Sequence, residues 1–116
     1  MARVLLVDDD ADALELRKLI FEREGHQVDV ACDARGARER FSANPPEGVI
    51  LDLRLPEAED GFALIREFRA AAPEVKIVVL AGWIGDLEGR SERGLVDRVL
   101  SKPVRSDKLL RALEVG

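Results

Sequence analysis

Three consecutive carboxylates, Asp8, Asp9 and Asp10, stand at the end of the apolar run from Val4 to Val7. A second run, Val49 to Leu51, stops at Asp52, and a third, Val96 to Leu100, is followed by Ser101 and Lys102. Short β-prone runs that end on charge read as buried strands delivering polar groups to one edge of a sheet. Carboxylates so close together repel one another unless a counter-charge offsets them. A hard divalent cation held through oxygen supplies one. Mg²⁺ uses one or two carboxylates and fills its remaining positions with waters, carbonyls and phosphate oxygens. A lysine on the far side of such a site binds a phosphoryl oxygen as a point charge. A carboxylate between metal and lysine can attack phosphorus and become an aspartyl phosphate.

The elements that must position these residues follow from the spacing. After the first strand, Asp10 or Asp12 can cap a helix over 11–24, with Ala13, Leu14, Leu16, Leu19, Ile20 and Phe21 near helical spacing and Gly25 closing it. The alternating run Val28 to Cys32 predicts a second strand, with a buried, inert Cys32. Asp33 caps a short helix through Phe41 that Pro45 and Pro46 bound. Gly48 to Leu51 is the third strand; a polar loop with Pro56 and Gly61 leads into a helix over 62–71. Val75 to Leu80 is nearly all apolar and β-branched, the pattern of a central parallel strand buried on both faces. Gly82 to Gly94 carries four glycines and little apolar periodicity, so a helix there is short or poorly packed. A fifth strand over 96–100 and a last helix from Ser106 or Asp107 through Glu114, with Leu109, Leu110 and Leu113 inward, complete the chain. Five strand–helix alternations argue a parallel sheet with helices on both faces. Ligands of open α/β sheets bind beyond the carboxyl ends of the strands, where the acids and Lys102 fall.

Composition narrows the function classes. The 116 residues suffice for one domain, read over 1–116. A net charge of -5 argues against nucleic acid as a partner. No apolar stretch approaches the roughly 20 residues that span a membrane, and the N-terminus lacks a signal-peptide profile, which makes a cytoplasmic location the expectation. Cys32 has no second cysteine to pair with. His26 reads as an exposed loop residue, and Ser91 and Ser101, without a base in view, as structural. Charge alternations such as Arg38-Glu39-Arg40 read as helix-surface pairing.

The set "VLLVDDD", "VILDLRLP", "VVLAG" and "VLSKPV" resembles the receiver domain of two-component response regulators, over essentially the whole chain. The resemblance implies an α/β, doubly wound, flavodoxin-like fold with a five-stranded parallel sheet of order 2-1-3-4-5. It implies that Asp52 accepts a phosphoryl group from a histidine kinase, and that Mg²⁺ is held by Asp9 directly, Asp8 through water, Asp52 and the backbone carbonyl of Arg54. Lys102 then contacts the phosphoryl group, the Lys102–Pro103 bond is cis, and Asp10 serves as a helix cap. The implied partners are a sensor histidine kinase or phosphotransfer protein and a downstream effector or output domain; no oligomeric state is implied. The domain is not an enzyme beyond its own phosphorylation and dephosphorylation.

The chain also departs from that pattern. Ala81, or Gly82 in another register, stands where a Ser or Thr is usual, and Val99 where many receivers carry an aromatic switch residue. The loop after Asp52 is one residue longer than usual. Arg54 and Trp83 occupy positions that govern access to the phosphoryl group in the family. The departures leave an alternative, a pseudo-receiver that binds partners without phosphoryl transfer. A phosphatase of the haloacid dehalogenase type would want an Asp at position 54, where this chain has Arg.

Overall fold

The computed structural model describes residues 2–55 and 57–113. Five parallel strands, β1 (Arg3–Val7), β2 (Gln27–Ala31), β3 (Gly48–Asp52), β4 (Lys76–Ala81) and β5 (Arg98–Ser101), form one sheet of order β2-β1-β3-β4-β5. Four helices connect or follow them: α1 (Ala11–Arg23), α2 (Ala34–Ala43), α3 (Ala58–Ala71) and α4 (Ser106–Leu113). The expected strand order is therefore the observed one.

The two-residue period of a strand sorts the core into two layers. Leu5, Val7, Val49, Leu51, Ile77 and Val79 face one way and pack with Ala37 and Phe41 of α2 and Phe62, Ile65 and Phe68 of α3. The Phe41 and Phe68 rings stack there at 4.1 Å. Val4, Leu6, Ile50, Val78 and Leu80 face the other way, against Leu14 and Phe21 of α1 and Leu109 and Ala112 of α4. Burial of β1, β3 and β4 on both faces explains why their sequences are apolar runs rather than alternations.

Several expectations need correction. Leu16 and Leu19 of α1 are 59% and 58% exposed; the inward stripe is narrower and passes through Leu14 and Phe21. Cys32 is exposed, because β2 is an edge strand that ends at Ala31. His26 is half-buried rather than an exposed loop residue: its ring lies 5.8 Å from that of Phe21 and its Nδ1 accepts the Ala2 amide. α3 begins at Ala58, four residues before the expected start, where the Asp60 carboxylate reaches back to accept the Glu57 amide. Gly61 thus lies in a helix, while Pro56 and the expected helix end at Glu114 lie outside the described residues. In α4 Leu109 is buried and Leu110 and Leu113 pack half-buried against the same core as expected, and Ala112 joins them as a buried residue. β5 starts at Arg98 rather than Val96. Arg38 does not pair along its own helix; its guanidinium makes a two-pronged contact with Glu67 of α3, at 2.7 and 2.9 Å.

The glycine-rich stretch forms two 3₁₀ turns, Ile84–Leu87 and Ser91–Leu95, in place of a fourth crossover α-helix. Charge rather than an apolar stripe anchors the second turn. Glu92 is buried and accepts from Arg66 of α3 and from Arg90, whose guanidinium lies 3.6 Å from the Phe62 ring centre. Burial works against ionisation of Glu92, but its own backbone amide and the two guanidiniums outweigh it and hold the carboxyl below the usual glutamate range. Nearby, Arg69 donates to the carbonyls of Pro73, Val75 and Leu95 and to Asp97, and the Asp97 carboxylate accepts the Ile77 amide. This network pins the end of the stretch that enters β5.

Candidate functional site

β1 pairs with β3 so that Leu6 lies beside Ile50 and Val7 beside Leu51. One residue further along this register sets Asp8 beside Asp52. Both positions share the parity of Leu6 and Ile50, the side facing α1 and α4. The strand period thus brings together two carboxylates 44 residues apart in sequence. Both are buried, Asp8 4% and Asp52 3% exposed. Asp9, next to Asp8, is exposed, yet one oxygen from each of Asp8, Asp9 and Asp52 lies within 4.8 Å of the others.

Each buried carboxylate has donors. Asp52 accepts from the Lys102 ammonium at 2.8 Å and from the Arg54 amide at 3.3 Å. Lys102 is held in place by its own amide, which donates to the Ala81 carbonyl at 2.8 Å, and the Lys102–Pro103 peptide is cis as expected. Asp8 accepts the Asp10 amide on Oδ1 at 2.9 Å and the Arg17 guanidinium on Oδ2 at 2.8 Å. Asp10 caps α1, accepting the amides of Asp12 and Ala13. Burial raises the proton affinity of Asp52; the Lys102 hydrogen bond opposes this, and the Asp8 charge adds to it, with the net result above the usual aspartate range.

Arg17 is the residue that the sequence reading missed. It lies three residues after Leu14 and four before Phe21, on the inward stripe of α1. That register was the available signal: a cation on the buried face of a helix calls for an anion opposite. The remaining expected positions lie around the same edge. Ala81 is buried at the end of β4 beside Ser101, with no hydroxyl to offer. Val99 is half-buried on β5 and packs against the α2–α3 layer. Arg54 is exposed; Trp83 is 68% exposed, and its ring lies against Gly85.

The donor set suits a small hard cation. All three candidate ligands are carboxylates, two are buried at a strand edge, and their mutual approach leaves negative charge that two side-chain cations only partly offset.

Comparison with known proteins agrees with this geometry. The model of the response regulator receiver domain matches residues 4–114. The virulence transcriptional regulatory protein PhoP of Salmonella typhimurium is 34% identical over 98% of the chain and 51% of its own length. The nitrogen assimilation regulatory protein NtrX of Azorhizobium caulinodans is 34% identical over 96% of the chain and 26% of its own length. The chain therefore spans about half or less of these curated relatives. Among solved structures, the response regulator TrrA of Thermotoga maritima, in complex with Mg²⁺-BeF, superposes with a TM-score of 0.82 at 27% identity, covering 96% of the chain and 95% of that protein. A receiver domain protein of Clostridium thermocellum gives 0.85 at 25% identity, covering 97% and 91%. The chain belongs to the receiver domain family of two-component response regulators.

Proposed function

We propose that residues 1–116 act as one phosphoryl-accepting receiver unit, in which Asp52 takes a phosphoryl group from the phosphohistidine of a sensor kinase or phosphotransfer protein. The observation that carries this reading is the convergence of the Asp8, Asp9 and Asp52 oxygens within 4.8 Å, with the Lys102 ammonium 2.8 Å from Asp52. In the transfer, an Asp52 carboxylate oxygen forms the new bond to phosphorus as the bond from phosphorus to the imidazole nitrogen breaks; that nitrogen keeps the electron pair. Lys102 already points at the reacting oxygen and passes from pairing with it to pairing with a phosphoryl oxygen. Asp8, Asp9, Asp52 and the Arg54 carbonyl would hold Mg²⁺, which when bound neutralises charge on the transferring group. Arg54 and Trp83, both exposed, are the residues that in this reading limit access of water to the phosphoryl group and slow its hydrolysis. A cytoplasmic location and a downstream effector or output domain go with this reading.

A second reading has its own support. Ala81 offers no hydroxyl where the family uses one, and Val99 no ring, so a pseudo-receiver that binds a partner without phosphoryl transfer is the alternative. In the first reading the signal passes instead through ordering of the 82–97 stretch, which is built from 3₁₀ turns and ion pairs. Beryllofluoride with Mg²⁺ separates the two. Amide shifts around Asp52 that disappear in Asp52→Asn support phosphoryl acceptance; no binding at millimolar Mg²⁺ supports the pseudo-receiver.

A further inference from the structure

Asp8 has no free oxygen to give a metal without sharing or losing a donor. The Asp10 amide occupies Oδ1 and the Arg17 guanidinium occupies Oδ2, at 2.9 and 2.8 Å. The pair is sheltered: the Arg17 side chain is 16% exposed and that of Asp8 5%. Arg17 is held in this position by the helix itself, between the buried anchors Leu14 and Phe21. A buried carboxylate requires a partner, and Arg17 supplies one when no metal is bound.

We propose that Arg17 is a built-in counter-ion of the acidic pocket that competes with Mg²⁺ for the Asp8 carboxylate, so that this residue sets the Mg²⁺ affinity of the domain. The inference rests on the reading of Asp8, Asp9 and Asp52 as a Mg²⁺ site. Arg17 and Lys102 together divide the pocket: each of its buried carboxylates carries one cation, leaving Asp9, exposed and without an ion pair among the described residues, as the acid that meets the metal first. A metal approaching Asp8 Oδ2 meets the guanidinium already bonded to that oxygen. Charge repulsion between a guanidinium and a divalent ion at such range is large in a sheltered pocket, so the competition is direct.

The test is a Mg²⁺ titration of the full chain followed by amide chemical shifts of residues 8–10 and 52–54, with thermal unfolding alongside. Arg17→Met keeps an apolar stem for the inward stripe and removes the charge; Arg17→Gln removes the charge and keeps a polar tip. Both are expected to bind Mg²⁺ about tenfold more tightly than the parent and to show a larger Mg²⁺-induced rise in melting temperature, because Asp8 is left unpaired without metal. Arg17→Lys, which keeps the charge, is expected to stay within about threefold of the parent. Unchanged or weaker Mg²⁺ affinity in both charge-removing variants, with the parent binding normally, overturns the counter-ion role and leaves the metal site standing. Absence of Mg²⁺ binding in the parent and in every variant overturns the metal site and the counter-ion role together.

Discussion

Gly61 offers a sharp test of how α3 positions the strand that ends at Asp52. It lies in the first turns of α3, where a Cβ would stand 2.1 Å from the Leu53 carbonyl oxygen, 2.8 Å from its carbonyl carbon and 2.9 Å from its Cα. An unstrained contact between carbon atoms needs about 3.5 Å. All three neighbours are backbone, so no rotamer change relieves the approach. Two effects compete in Gly61→Ala. Helix propensity favours alanine by about 1 kcal/mol. Forcing helix and loop apart costs about 1–3 kcal/mol in ordinary overpacking, and a displacement of more than 1 Å against backbone belongs at or beyond the upper end. The clash wins, with a net loss of about 2 kcal/mol and a fall in melting temperature of about 8 °C. Leu53 directly follows Asp52, so the same displacement moves the Asp52 carboxylate and the Arg54 carbonyl, and with the proposed metal site there the Mg²⁺ affinity of the folded variant drops with it. Urea denaturation measures the first effect and Mg²⁺ titration the second. Gly82→Ala is the control, since its Cβ would meet nothing within 4 Å; a change within about 0.5 kcal/mol is expected. A Gly61→Ala domain as stable as the parent, or more so, refutes the argument, because propensity alone would then govern the position.

Asp52→Asn is expected to stabilise the metal-free domain by on the order of 1 kcal/mol, since it removes a buried charge repelled by Asp8 and leaves only the partly exposed Lys102 unpaired. Because burial raises the Asp52 pKa, the folded state binds the proton more tightly than the unfolded chain. Parent stability should therefore fall as pH rises from the ordinary aspartate value of 3.8 through the raised one, a decline absent from Asp52→Asn in urea midpoints measured across pH. Glu92 behaves oppositely: its lowered pKa makes a contribution present above the ordinary glutamate value of 4.5 and lost as pH falls through the folded one. The stability gap between the parent and Glu92→Gln should close on acidification; a gap independent of pH contradicts the ion-pair anchor. Arg69→Ala orphans the carbonyls of Pro73, Val75 and Leu95 and should cost about 2–4 kcal/mol by urea denaturation, with Arg69→Lys restoring only part, because an ammonium cannot reproduce the planar fork.

Local chemistry made much of this protein legible in its sequence. Apolar runs of strand length ending on Asp8, Asp9, Asp52 and Lys102 carry their own geometry, because a parallel strand has a direction and its carboxyl end has a place. Alternation with helical segments then required a doubly wound sheet, and position alone narrowed the cap of α1 to Asp10 or Asp12. The early start of α3 was less visible: Pro56 and the acids around Gly61 have the composition of a loop, and only the approach of Gly61 to Leu53 explains a glycine inside a helix. Leu16 and Leu19 misled because apolar spacing does not say which apolar face is covered; the sheet decides that by meeting Leu14 and Phe21. Cys32 misled for a related reason, since an alternating strand at the sheet edge buries less than one in the middle.

The residue types at the strand ends were sufficient to point to an acidic pocket with a lysine at its edge, because the strand direction carries all of them to one end of the sheet. Which cation meets which carboxylate was a tertiary decision. Arg17 reaches Asp8 only because the face of α1 that carries Leu14 and Phe21 packs on the side of β1 to which Asp8 projects. Glu92 is an anchor rather than a solvated charge because Arg66 reaches it from α3, joining its chain neighbour Arg90. Pair distances of this kind depend on the packing of whole elements, and a linear spacing contains no term for them.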